Sequence, residues 1–140
     1  MVGYSATPLL KKLGIKPGFD VAFVNAPENF VEQLDLPSEV NVRSLSKARD
    51  LDFILFFVKS QRILTTAFAQ YPLKIKPNGM FWVSWPKKTS GVQTDVTENI
   101  VRDIGLAAGL VDVKVCAIDD VWSGLKFVYR LKDRAALNSR

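Results

Sequence analysis

Residues 51–58 read Leu-Asp-Phe-Ile-Leu-Phe-Phe-Val, the most continuous apolar run in the chain. A strand with one wet face alternates apolar and polar side chains, so a run without alternation needs cover on both faces. That is the mark of a central strand in a parallel sheet. Parallel neighbours cannot be joined by tight hairpins; they require crossover connections, usually helical and of one hand. The run therefore predicts an open sheet between helical layers, and the rest of the chain has to supply both.

Thr7 and Pro8 ahead of Leu9, Leu10 and Leu13, with Gly14 behind, predict a short helix over 8–13 that packs as an arm. After the turn Lys16-Pro17-Gly18, residues 21–24 form an apolar strand that delivers a polar loop, Asn25-Ala26-Pro27-Glu28. Phe30, Val31 and Leu34 share one face of a helix over 28–36; Pro37-Ser38 ends it, and 40–45 alternates as an edge strand. Ser60 caps a helix with Ile63, Leu64, Ala67, Phe68 and Tyr71 on one side, closed by Pro72. A turn at Lys76-Pro77-Asn78-Gly79 precedes a buried strand over 80–84, which leaves the sheet at Trp85-Pro86-Lys87-Lys88. The aromatic residue before Pro86 favours a cis bond there. Asp95 with Glu98 three residues on fits a capping box, Thr94 being the other cap candidate, for a helix carrying Val96, Ile100, Ile104 and Ala107 or Ala108 and stopped by Gly109. Finally 112–118 and 125–131 alternate around Asp119-Asp120-Val121-Trp122-Ser123-Gly124 as a closing hairpin.

The expected fold is α/β and three-layered: a Rossmann-like, mainly parallel sheet of five or six strands, 51–58 and 80–84 at its centre, helices on both faces, and a C-terminal antiparallel hairpin. One domain over 1–131, with 1–14 as a helical arm and 132–140 as a basic frayed tail, accounts for the 140 residues.

Histidine is absent from the chain. That removes Ser-His and Cys-His nucleophile pairs and the commonest zinc sites, leaving Asp, Glu, Lys or Tyr for any proton transfer. The single Cys116 cannot form an internal disulfide, in keeping with a reducing compartment, and on an alternating strand it is a small core residue. The N-terminus has no basic-then-apolar signal layout, and no apolar run approaches the roughly 20 residues that span a bilayer. A cytoplasmic location without a membrane is the expectation.

Net charge is +5, unevenly spread. Residues 59–91 hold Lys59, Arg62, Lys74, Lys76, Lys87 and Lys88 and no acidic residue, while 18–58 and 92–125 are each net acidic. Ligands of open α/β sheets sit at the carboxyl ends of the strands. The loops at 25–29, 59–62, 84–91 and 119–124 are expected to share that edge, and with them Asn25, Glu28, Lys59, Trp85, Lys87, Lys88 and Trp122 as one partly concave, positive surface. Lys87 and Lys88, with Thr89, Ser90 and Gly91, suit an oxyanion; Trp85 and Trp122 suit a planar base or sugar. Trp82 inside the strand is core, and Asp119 and Asp120 read as turn residues rather than metal ligands, so no metal is expected.

From the turn at 76–79 onward, the order of elements resembles the second half of a class I S-adenosylmethionine-dependent methyltransferase, over roughly 15–131 and one strand–helix unit short. Gly3-Tyr4-Ser5-Ala6-Thr7-Pro8-Leu9, Trp85-Pro86-Lys87-Lys88 and Trp122-Ser123-Gly124-Leu125 resemble a family of small bacterial proteins catalogued only as a domain of unknown function. The methyltransferase resemblance implies a Gly-rich cofactor turn after the first strand, but Asn25-Ala26-Pro27-Glu28-Asn29 has no glycine and a stiff proline. It also implies an acidic ribose ligand after the second strand, where Leu45-Ser46-Lys47 stands. The expectation is thus a Rossmann-like module that binds an anionic small ligand, such as a nucleotide, at the strand-end edge, with no catalytic residue or cofactor assigned. The alternatives are an interaction protein whose basic surface meets acidic protein or nucleic acid, and a divergent methyltransferase binding S-adenosylmethionine at 25–28.

Overall fold

The computed structural model describes residues 8–137. The proposed Thr7 cap and the first five residues of the N-terminal motif lie outside that range. Among these residues five α-helices and six strands follow one another as α1 (Leu9–Leu13), β1 (Asp20–Val24), α2 (Phe30–Leu34), β2 (Asn41–Val42), β3 (Leu51–Phe57), α3 (Gln61–Gln70), β4 (Ile75–Pro86), α4 (Glu98–Ala107), β5 (Leu110–Ala117), β6 (Trp122–Tyr129) and α5 (Leu131–Leu137).

All six strands make one sheet in the order β2-β1-β3-β4-β6-β5. The pairs β2–β1, β1–β3 and β3–β4 are parallel, while β6 runs antiparallel to both its neighbours. Five strands thus point one way and β6 alone is reversed. As the sequence predicts, β3 and β4 are central. Phe53, Leu55 and Phe57 enter one core and Ile54, Phe56 and Val58 the other, none more than 4% exposed. The first core is closed by α1 and α2 through Leu13, Phe30 and Leu34; the second by α3, α4 and α5 through Leu64, Phe68, Val101 and Leu137. Among the described residues no helix is long and apolar enough to cross a membrane.

Several local expectations are corrected. Strand β4 begins at Ile75, not after the 76–79 turn: Leu51 pairs with Ile75 and Phe53 with Met80, so three more residues stand on β4 than on β3 between those pairs. They bulge outward, with Lys76 paired to Asp52 at 2.9 Å and the bare Gly79 against the Leu51 carbonyl, where a Cβ would lie 3.0 Å away. The Trp85–Pro86 bond is trans; Pro86 stays in the strand, paired with Trp122, an extended setting in which proline needs only its ordinary φ. Only Asn41–Val42 of the alternating 40–45 segment pairs, at the expected edge. Helix α4 is capped by Thr97, whose hydroxyl accepts from the Ile100 amide; Ser60 caps α3 as expected, accepting from the Ile63 amide, and Asp95 reinforces that helix start by accepting from the Gln61 amide at 2.9 Å. Leu131–Leu137 is helical rather than frayed, because Leu137 finds the core and Arg134 donates to the Tyr129 carbonyl.

Candidate functional site

The carboxyl ends of β1, β3 and β4 lie side by side, and because β6 is reversed its first residue emerges at the same edge. Adjacent strands are about 4.8 Å apart, so the edge from Asn25 to Trp122 spans three spacings, about 14 Å. Asn25 and Glu28 are exposed on the β1 loop, Lys59 is exposed after β3, and Lys88 is exposed after β4.

The loop after β4 is held firmly. Its Lys87 amide donates to the Val121 carbonyl at 2.7 Å and its Lys87 ammonium to the Asp119 carbonyl at 2.8 Å, fastening the end of β4 to the β5–β6 turn. Asp119 Oδ1 accepts from the amides of Val121 and Trp122, each at 2.8 Å, the turn role its sequence context indicates. Farther along, the Ser90 hydroxyl donates to the Lys87 carbonyl and the Thr94 hydroxyl to the Lys59 carbonyl, both at 2.6 Å. The β4–α4 connection is thereby stitched to the β3–α3 loop, and Lys59 contributes its backbone rather than its charge to that seam.

Between the end of β4 and the first turn of α4 opens a cleft of about 430 Å³, lined by Trp85, Pro86, Lys87, Lys88, Val96, Thr97, Glu98, Asn99 and Ser123. The Lys88 ammonium makes no hydrogen bond or ion pair with the described residues. Glu98 is turned to Arg102, at 2.8 Å, and Arg102 also meets Asp112 at 2.9 Å; these two carboxylates raise the guanidinium's pKa. The negative charge at the start of α4 is therefore paired within its own helix and with β5.

Of the seven sequence-derived residues, Trp85, Lys87 and Lys88 line this cleft. Trp85, only 5% exposed, belongs to the α3/α4/α5 core and shows the cleft little surface. Trp122 is buried in the other core, its ring edge-on to Phe57 at 5.1 Å, so the sheet separates the two tryptophans. Asn25, Glu28 and Lys59 sit on the same edge without lining the cleft. Thr97, Asn99 and Ser123 were not anticipated; Thr97 directly before an acidic first-turn residue is the available signal, masked by the Asp95/Glu98 spacing.

At the β1 loop, Asn25 and Asn29 both adopt left-handed backbone, with φ 58° and 67°. Asparagine is the side chain other than glycine that best tolerates this region. No group of three or more His, Cys, Asp or Glu among the described residues can hold a metal ion.

No family model matches the chain, and no curated protein matches it in sequence. Solved structures do. An S-adenosylmethionine-dependent methyltransferase from Aquifex aeolicus superposes with TM-score 0.67 at 15% identity, covering 85% of this chain and 86% of that one. A TehB-like S-adenosylmethionine-dependent methyltransferase from Corynebacterium glutamicum gives TM-score 0.55 at 11% identity over 91% and 90%. Magnesium protoporphyrin IX methyltransferase from Synechocystis, solved with bound SAH, gives 0.58 at 11% over 86% and 78%. The fold is that of the Rossmann-like methyltransferases, and at these identities the likeness carries the fold alone.

Proposed function

We propose that the protein binds a small oxyanion-bearing ligand in the cleft between the end of β4 and the start of α4. The observation that carries this reading is the unpaired Lys88 ammonium on a cleft of about 430 Å³ whose loop is fixed by hydrogen bonds at Lys87, Ser90 and Thr94. Ammonium groups form charge-assisted hydrogen bonds with phosphate, sulfate and carboxylate, and a loop already ordered loses little freedom on binding. Pairing of Glu98 with Arg102 partly offsets the negative charge that lines the cleft. Trp85 and Pro86 give the cleft an apolar wall beside the lysines, which makes a nucleotide the ligand class to try first.

A thermal-shift series over nucleoside monophosphates, simple oxyanions and S-adenosylmethionine tests it, since a ligand that binds only the native state raises the melting temperature. Lys88→Ala should abolish the shift while leaving the unliganded melting temperature nearly unchanged. An unaltered shift in the variant refutes the site. Binding that falls steeply with salt and is specific to polynucleotide would favour the interaction-protein alternative instead.

A second reading, divergent S-adenosylmethionine binding at 25–28, gains one observation. The left-handed Asn25 and Asn29 supply the backbone conformation usually given to glycine. Pro27 and the lack of an acidic residue after β2 weigh against it, and that loop contributes nothing to the cleft above. Calorimetric binding of S-adenosylmethionine at micromolar affinity, lost on Asn25→Val, would put it first.

A further inference from the structure

Away from the strand-end edge, the fold gathers lysines that the sequence holds a hundred positions apart. Lys114 of β5 and Lys126 of β6 are register partners, so two ammonium-bearing stems stand side by side on neighbouring strands, an arrangement that costs stability. Leu125 and Phe127 point into the α3/α4/α5 core, which turns Lys126 to the α1 face. Helix α1 lies against that face: the Lys114 ammonium donates to the Lys12 carbonyl at 2.8 Å, and Trp82, the β4 partner of Lys126, donates to the Leu13 carbonyl at 3.0 Å. Lys16 follows just beyond α1. Burial first, then Lys114 and Lys16, hold Lys126 below the ordinary lysine pKa. Lys11, Lys12, Lys16, Lys114 and Lys126 take part in none of the four ion pairs among the described residues.

One of these contacts is explained by the fold. Lys114 satisfies a carbonyl at the end of α1, where a cation is favourable. That role needs one ammonium and leaves two of its three donors unused. It gives no reason for a second lysine opposite and a third beside it, without a carboxylate. We propose that this face between α1 and the β5–β6 ribbon is an oxyanion site for a di- or triphosphate group, formed by the half-buried Lys126 with the exposed Lys16 and Lys114. Three positive charges, one of them half-buried, match a compact group of three or four negative charges. The half-buried position of Lys126 favours such a group over an extended polyanion, which reads exposed charges along a surface.

Calorimetric titration with tripolyphosphate at constant ionic strength tests this, using the full chain carrying Lys88→Ala so that the β4 cleft does not contribute. Saturable binding is expected in that background, weakened about tenfold or more by adding Lys126→Met or Lys16→Met and retained on adding Lys126→Arg. Without ligand, Lys126→Met should melt no lower than the wild type, because it removes a like-charge contact and keeps the apolar stem. A nucleoside triphosphate binding equally makes the phosphates the whole determinant, and binding more tightly adds the nucleoside; either supports the site. Absence of saturable binding, undiminished affinity on adding Lys126→Met, or a lower ligand-free melting temperature in Lys126→Met overturns it, as does salt-sensitive binding confined to polynucleotide.

Discussion

Gly105 sits in α4 facing β6, and a Cβ built there would have three ring atoms of Phe127 within 2.8 Å. Carbon atoms pack at about 3.5–4.0 Å, so Gly105→Ala forces an overlap of well over 1 Å at the nearest atom, against a ring rather than a flexible chain end. Phe127 cannot yield easily: it is fully buried and edge-on to Phe68 at 5.0 Å. The helix has to lift from the sheet. Overpacking of this kind costs about 1–3 kcal/mol, and this contact belongs at the upper end. Alanine returns about 1 kcal/mol of helix propensity, leaving a net loss of about 2 kcal/mol. For a chain this size that is a fall in melting temperature of about 6–10 °C. Chemical denaturation should show the midpoint moving with its slope unchanged. Phe127→Leu, destabilising alone, should cost less in the Gly105→Ala background, giving a coupling energy of about 1 kcal/mol. If Gly105→Ala melts at or above the wild type, propensity has won and the packing reasoning is wrong.

The Ser84 hydroxyl is fully buried and has no hydrogen-bond partner among the described residues, so Ser84→Ala should raise stability by about 1 kcal/mol in denaturant titrations; a loss would mean the hydroxyl is satisfied in solution. Asp95→Ala and Thr97→Ala should each cost about 1 kcal/mol, but hydrogen exchange should speed at the first turn of α3 in the former and of α4 in the latter. The opposite assignment would restore the Asp95/Glu98 capping box. Burial pushes the Cys116 thiol above its ordinary pKa against the pull of Lys114 and Lys12, so its thiolate is scarcer than that of a free thiol at any pH near neutrality. Alkylation should be slower than for a free thiol and climb as pH rises toward the shifted value; a rate at or above the free-thiol rate near pH 7 would contradict the assignment.

The architecture was legible because the two central strands announce themselves. Double-sided burial leaves 51–58 no room for polar residues, and the crossover helices follow from parallel pairing. Boundaries were less legible wherever a local rule had two solutions. The spacing of Asp95 and Glu98 satisfies a capping box, yet the Asp95 side chain reaches 34 residues back to Gln61, a partner no local pattern reveals. Similarly, 76–79 has turn chemistry, but here it serves as a bulge within one strand, because Ile75 already pairs with Leu51. At the site, the loop lysines could be placed on an edge from topology. Which face each tryptophan takes depends on strand parity, and an expectation that treats the edge as one surface does not resolve it. The lysine cluster was invisible for a simpler reason: it needs residues near 12 and near 126 in one place.

Strand β6, the last of the described strands along the chain, lies between β4 and β5 rather than outside them. As the chain leaves the ribosome, β1 to β4 can assemble in order, but β5 has no bond to β4 and can join the sheet only through β6. Until Tyr129 has emerged, the inner edge of β4, carrying Phe81, Trp82, Val83 and Trp85, stays unpaired and open to any passing strand. Translation that stops anywhere in the α4–β5 segment would therefore release an aggregation-prone sheet, not a smaller stable domain. Completion of this fold is a single late insertion event.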